Sequence, residues 1–152
     1  MSLLTSLLVF SPPSAHGTPS EGPPRSTTLP NQEASPLRFR EGAEAAGIEF
    51  RHLSGSPEKP YILESMSGGV ALFDYDNDGW LDLYLVNGST IADWEKGQRT
   101  VRNALYRNRG DGSFEDVTLE AGVTGGLWDM GAVAADIDND GFKELFVTGY
   151  GK

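Results

Sequence analysis

The chain has 152 residues, no cysteine, and 22 acidic against 12 basic side chains, for a formal net charge of −10 at pH 7. That balance argues against a nucleic-acid partner, because neutralising phosphates needs clustered Lys and Arg. Disulfides and thiolate metal sites are excluded, and no apolar run approaches the ~20 residues of a membrane-spanning helix.

In chain order, Leu3 to Phe10 (LLTSLLVF) is a short apolar run followed by Ser11, Pro12 and Pro13. It has the shape of the apolar core and tail of a secretory leader, although no Lys or Arg precedes Arg25. Residues 1–17 therefore read as an incomplete signal peptide, and the expected location is extracellular or periplasmic. Residues 11–36 hold seven of the nine prolines. Such a stretch buries too little apolar surface to offset its ordering entropy, so 18–36 is expected to be a disordered Pro/Ser-rich linker.

From residue 37 to 152 short apolar runs alternate with Gly, Asp and Asn, and the chain repeats itself. FDYDNDGWLD (73–82) returns as ADIDNDGFKE (135–144), an offset of 62, while FREGAEAAGI (39–48) matches FEDVTLEAGV (114–123) at an offset of 75. The difference places an insertion of thirteen residues in the first copy, between Ile48 and Asp74 and within HLSGSPEKPYILES (52–65). Gly69–Tyr75 reads as an inner strand covered on both faces, and Leu81–Val86 follows it across the acidic segment as the second arm of a hairpin. Asn103–Asn108 and Ser113–Thr118 flank the turn Arg109-Gly110-Asp111-Gly112. Gly131–Ile137 and Glu144–Tyr150 begin the next set. Helix is expected only as single turns at Glu41–Ala46 and Leu119–Ala121, with 93–102 a polar outer loop. The expected fold is all-β, with repeats sharing a core.

Each acidic segment places Asp at positions 1, 3 and 5, Asn at 4, Gly at 6 and an acid at 9. Alternate spacing sends carboxylates to one side of a tight loop, and the residue at position 7 can offer its carbonyl. A hard cation taking six to eight oxygens at ~2.3–2.6 Å suits this set, which points to Ca²⁺ rather than to Mg²⁺. The expected ligands are Asp74, Asp76, Asp78, Trp80 (by its carbonyl) and Asp82, and, in the second copy, Asp136, Asp138, Asp140, Phe142 (by its carbonyl) and Glu144. An EF-hand fails on two counts: its position 12 is Leu85 or Val147 here, and its flanks are strand-like. An Asp/Asn/Gly turn without an ion is the plainer alternative.

GGVALFDYDNDGWLDLYLVNG, NALYRNRGDGSFEDVTLEAGV and GAVAADIDNDGFKELFVTG resemble the FG-GAP/VCBS-type repeats of β-propellers. The likeness is closest to secreted proteins related to cartilage acidic protein, which often carry an ASPIC/UnbV domain. The resemblance covers about residues 37–152 and implies about two four-stranded antiparallel blades of a seven-bladed ring. It also implies calcium in the blade hairpins. A ring needs at least four blades, so the expectation is a piece of a longer protein whose remaining blades cover it.

Other residues carry plainer alternatives. His52, with the 52–67 loop, could contribute to an enzyme centre on a propeller face, or be a surface histidine. Trp94 and Trp128 could stack on sugars in a carbohydrate-binding module. Trp80 is expected to pack between blades. Arg109-Gly110-Asp111 spells an adhesion tripeptide that a β-turn also explains, and Asn87-Gly88-Ser89 is a glycosylation sequon. No nucleophile with its base, phosphate loop or His-rich metal set occurs. The resulting expectation is a secreted calcium-binding β-propeller repeat protein. Its role would be ligand binding, adhesion or scaffolding toward an extracellular protein or glycan, without catalysis.

Overall fold

The structure is a computed structural model describing residues 40–58 and 60–151, together with the backbone of Thr5–Leu8. The linker 18–36, and the leader apart from that backbone, lie outside the described residues. Strand β1 (Thr5–Leu8) is followed by a 3₁₀ turn (Ile62–Ser65), β2 (Gly69–Phe73), β3 (Asp82–Val86), a short helix α1 (Ile91–Glu95), β4 (Ala104–Asn108), β5 (Phe114–Asp116), β6 (Asp129–Ala135) and β7 (Glu144–Gly149). The fold is all-β. Strands β2-β3-β4-β5 form one antiparallel meander in sequence order, which is one four-stranded blade. The second sheet pairs β6 with β7, and β1 lies on the other edge of β7. The second blade is thus represented by its first hairpin, not by four strands in sequence order, and the ring is not closed.

Period-two alternation decides which face of the blade is inside. Ala71 and Phe73 of β2, Tyr84 and Val86 of β3 and Leu105 of β4 point one way, and with Val117 and Leu145 they form the core. Ala132, Ala134 and Val147 of the second sheet pack against them, so the two sheets share one apolar layer. The innermost strands come closest at their first turns. A Cβ on Gly69 would sit 2.9 Å from the Cα of Gly131, its equivalent 62 residues on. Only glycine at 69 lets the two backbones approach this far.

The opposite face of β2 departs from expectation. Val70 and Leu72 are 57% and 62% exposed, so this strand is covered on one side only among the described residues. The outer part of that face is closed: Ala104 and Tyr106 are buried, and Glu49, Phe50 and Arg51 line a cleft with them.

The repeat is visible in the hydrogen bonds. Ala46 N donates to Gly42 O and Ile48 N to Ala43 O, and 75 residues later Ala121 N donates to Val117 O and Val123 N to Thr118 O. Both single turns end on glycine with positive φ, Gly47 at 81° and Gly122 at 69°. The expected outer loop instead opens with α1, because Thr90 accepts the N–H of Asp93 and caps a short helix. The insertion contributes the 3₁₀ turn and lies over the end of β3, where Leu53 N donates to the side-chain oxygen of Asn87 and Gly88 N donates to Leu53 O. Among the described residues no helix is long and apolar enough to cross a membrane.

Substituting Gly69→Ala is expected to cost about 1–3 kcal/mol through overpacking against Gly131. Gly42→Ala, which meets nothing within 4 Å, should be near neutral. Urea denaturation of both variants measures the contrast, and equal stabilities would refute the close approach.

Candidate metal centres

The acidic segments are the hairpin connections β2–β3 and β6–β7. Four carboxylates in nine residues repel one another, and the backbone answers with N–H donors. Asp74 accepts Asp78 N at 3.1 Å on Oδ1 and Gly79 N at 2.9 Å on Oδ2. Asp136 accepts Asp140 N at 3.1 Å and Gly141 N at 3.0 Å through the same two atoms. Asp78 accepts Trp80 N at 2.8 Å, and Asp140 accepts Phe142 N at 2.9 Å. The position-9 acid closes each loop by accepting the position-2 amide: Tyr75 N to Asp82 at 2.9 Å and Ile137 N to Glu144 at 2.6 Å. Curling the chain this tightly requires positive φ at position 4, where Asn77 and Asn139 stand at 58° and 60°, and at position 6, where Gly79 and Gly141 stand at 90° and 96°. Asn tolerates that region and Gly occupies it freely.

The two loops differ in which oxygens they leave together. In the first, one oxygen each from Asp74, Asp76 and Asp78 lies within 4.8 Å of the others, whereas in the second the group is Asp136, Asp138 and Glu144. Oxygens bound to one Ca²⁺ at ~2.3–2.6 Å must be about this close or closer. Asp82 falls outside the first group; its Oδ2 accepts Tyr75 N and its Oδ1 accepts Asn108 N of β4 at 2.8 Å. It ties the acidic loop to the third strand. Burial pushes its carboxyl above the usual range and the charges of Asp76 and Asp78 add to this, against the two amide donors.

Whether these residues fit a cation is decided at the second loop. Glu144 is 2% exposed, and among the described residues its Oε1 has no hydrogen-bond partner; the buried Asp140 Oδ2 likewise has none among them. A buried carboxylate oxygen with no donor is costly unless a cation takes it, and an oxygen-only set favours a hard ion. The residues fit. The structure does not bring Asp140 into the three-oxygen group, and the backbone N–H groups of Trp80 and Phe142 donate to the position-5 acids Asp78 and Asp140.

Other sequence signals are structural. Trp80 lies over the turn of its own blade, since a Cβ on Gly110 would sit 2.8 Å from its indole, and it does not pack between the sheets. Arg109 pairs with Glu115 at 3.2 Å, and Asp111 accepts Ser113 N and Oγ at 2.9 and 2.6 Å, so Arg109-Gly110-Asp111 forms the β4–β5 turn. Asn87 of the sequon is buried, and its Nδ2 donates to Arg51 O and Arg102 O. That amide nitrogen is committed inside the fold. His52 is exposed against Gly68 and, among the described residues, has no hydrogen bond to an acid or nucleophile. Trp128, at 1% exposure, presents no face to solvent, and Trp94 packs on Tyr150 with ring centres 5.1 Å apart.

Sequence reasoning missed Asn103. Its side chain accepts Asn87 N at 2.7 Å and donates to Tyr84 OH and Asp129 Oδ2 at 2.8 and 2.7 Å. Nothing in its local sequence distinguishes it from a turn asparagine.

Comparison with known families places an FG-GAP-like repeat at residues 74–147, which spans both acidic loops. No curated protein and no solved structure matches the chain.

The raised carboxyl of Asp82 has a defined sign. The unfolded chain releases this proton first as pH rises, so the native state loses stability from the ordinary Asp range up to the raised folded value. With chelator present, the stability of the wild type minus that of Asp82→Asn should fall as pH is taken from 4 to 7. Urea titrations at several pH values measure it, and a difference that grows with pH would contradict the burial argument.

Proposed function

We propose that this chain, with its FG-GAP-like repeat at residues 74–147, is a calcium-binding unit of an exported β-propeller that works by binding or scaffolding rather than by catalysis. The observation that carries the reading is the pair of buried carboxylate oxygens, Asp140 Oδ2 and Glu144 Oε1, that have no hydrogen-bond partner among the described residues, in a loop whose fold is reproduced 62 residues earlier. Asp74, Asp76, Asp78 and Asp82 would hold one ion, with the Trp80 carbonyl. Asp136, Asp138, Asp140 and Glu144 would hold the other, with the Phe142 carbonyl. A bound cation supplies the positive charge that these oxygens lack.

The consequence for the blade is mechanical. Asp82 accepts an amide from β4, so charge neutralised in the β2–β3 loop relieves repulsion at the point where that loop meets the third strand. Sites of ~10⁻⁴–10⁻³ M affinity are characteristic of extracellular modules, which agrees with the leader-like residues 1–17. The uncovered Val70 and Leu72 on one side, and Val133 on the other, suit further blades of the same kind, with an extracellular protein or glycan as the partner of the whole.

Calorimetric titration into metal-free protein should give two Ca²⁺ per chain, one after Asp74→Ala or Asp136→Ala, and none in the double variant. Saturation at a hundredfold over Kd should stabilise the wild type by about 2.7 kcal/mol for each occupied site. Absence of uptake would remove the calcium reading.

A further inference from the structure

The repeat relates the covered faces of the two sheets to their uncovered ones. Ala132 and Ala134 of β6, with Leu145 and Val147 of β7, lie in the apolar layer shared with the first blade. Their equivalents 62 residues earlier are Val70, Leu72, Leu83 and Leu85. There the same face is open: Val70 and Leu72 are more than half exposed, and Leu83 and Leu85 are half-buried. Conversely, Ala71, Phe73, Tyr84 and Val86 form the first blade's half of that layer. Their equivalents are Val133, Ala135, Phe146 and Thr148, of which Phe146 is half-buried and the others are exposed. Each side of the two-sheet stack therefore presents one half of an interface whose other half stands on the opposite side.

We propose that the uncovered face of β2 and β3 docks a second copy of this chain, through the uncovered face of that copy's β6 and β7. Side-chain sizes suit the exchange. Val70 and Leu72 are larger than Ala132 and Ala134, while Ala135 is smaller than Phe73, so volume gained on one face is matched by volume lost on the other. The backbone suits it as well. Within the chain Gly69 lies against Gly131; between copies Gly131 takes the place of Gly69 and Gly69 that of Gly131. A Cβ on Gly131 meets only Thr148 Oγ1, at 3.4 Å, so among the described residues that position is open. Such head-to-tail contacts continue until the rotation closes a ring. Propellers close at about four to eight blades, and each copy brings one blade and the hairpin of another, so about two to four copies are expected. The net charge of −10 opposes association, but at about 0.15 M salt charges more than ~8 Å apart are largely screened. The acidic-loop carboxylates take no part, so a chain that stayed monomeric would still take up its two ions.

Sedimentation velocity on the full chain at physiological salt, from micromolar to near-millimolar concentration, tests the contact. Wild type should pass from monomer to oligomer. Leu72→Asp and Val133→Asp, both at exposed positions, should each stay monomeric with a melting temperature equal to that of dilute wild type. Mixed in equal amounts they should form a one-to-one dimer and nothing larger, because each retains the face the other has lost. Should either variant fail to fold, Gly131→Ala serves: its Cβ is unhindered within the chain but meets the neighbouring copy, and it should weaken association roughly tenfold. A wild type that is monomeric throughout, self-association by Val133→Asp alone, or undiminished association of Gly131→Ala would each overturn the proposal.

Discussion

A carboxylate that accepts two backbone amides at the first position of each acidic loop is the interaction on which the rest of the molecule depends. Asp74 and Asp136 each gather the amides of positions 5 and 6, and this curls the chain so that the remaining acids converge. Without those donors, like charges at such short range would spread the loop and release the hairpins that set the register of β2 on β3 and β6 on β7. The N–H groups do only part of the work. They neutralise no charge, and in the second loop they leave two buried oxygens with no partner among the described residues.

The repeat explains why the two loops are alike and why they are not identical. Equivalent residues 62 apart make the same four side-chain-to-backbone bonds, and Asp82 also accepts Asn108 N from the third strand of its blade. The longer side chain at the second site accepts Ile137 N and places an oxygen within 4.8 Å of oxygens of Asp136 and Asp138. The position-9 acid is therefore both a loop closure and, in the first blade, a link to its neighbouring strand.

At the opposite end the organising groups are neutral. Asn87 and Asn103 satisfy backbone and side-chain partners from the insertion, β3, β4 and β6, and the Tyr84 hydroxyl, pushed up to about 12 by burial, donates to Val123 O. A fully bonded polar network of this kind specifies one arrangement, since any displaced member would be left buried and unpaired. It also holds Asp129 in place.

Residue order alone determined the hairpins, the two loops, their alternate carboxylates and the single turns before Gly47 and Gly122, because each depends on neighbours within a few positions: period-two burial, positive φ at Asn or Gly, amides two to seven residues away. Tertiary contact decided the rest. Asn87 reads as a sequon until Leu53 N and Arg51 O, some 35 residues distant, close on its amide. By sequence Trp128 could stack on sugars, whereas it is buried at 1% exposure, and Val70 reads as covered although nothing described lies over it. Asp82 looks equivalent to Glu144 until Asn108, 26 residues on, donates to it. Local chemistry is written in spacing, whereas burial and the pairing of a given oxygen depend on which distant segment arrives beside it.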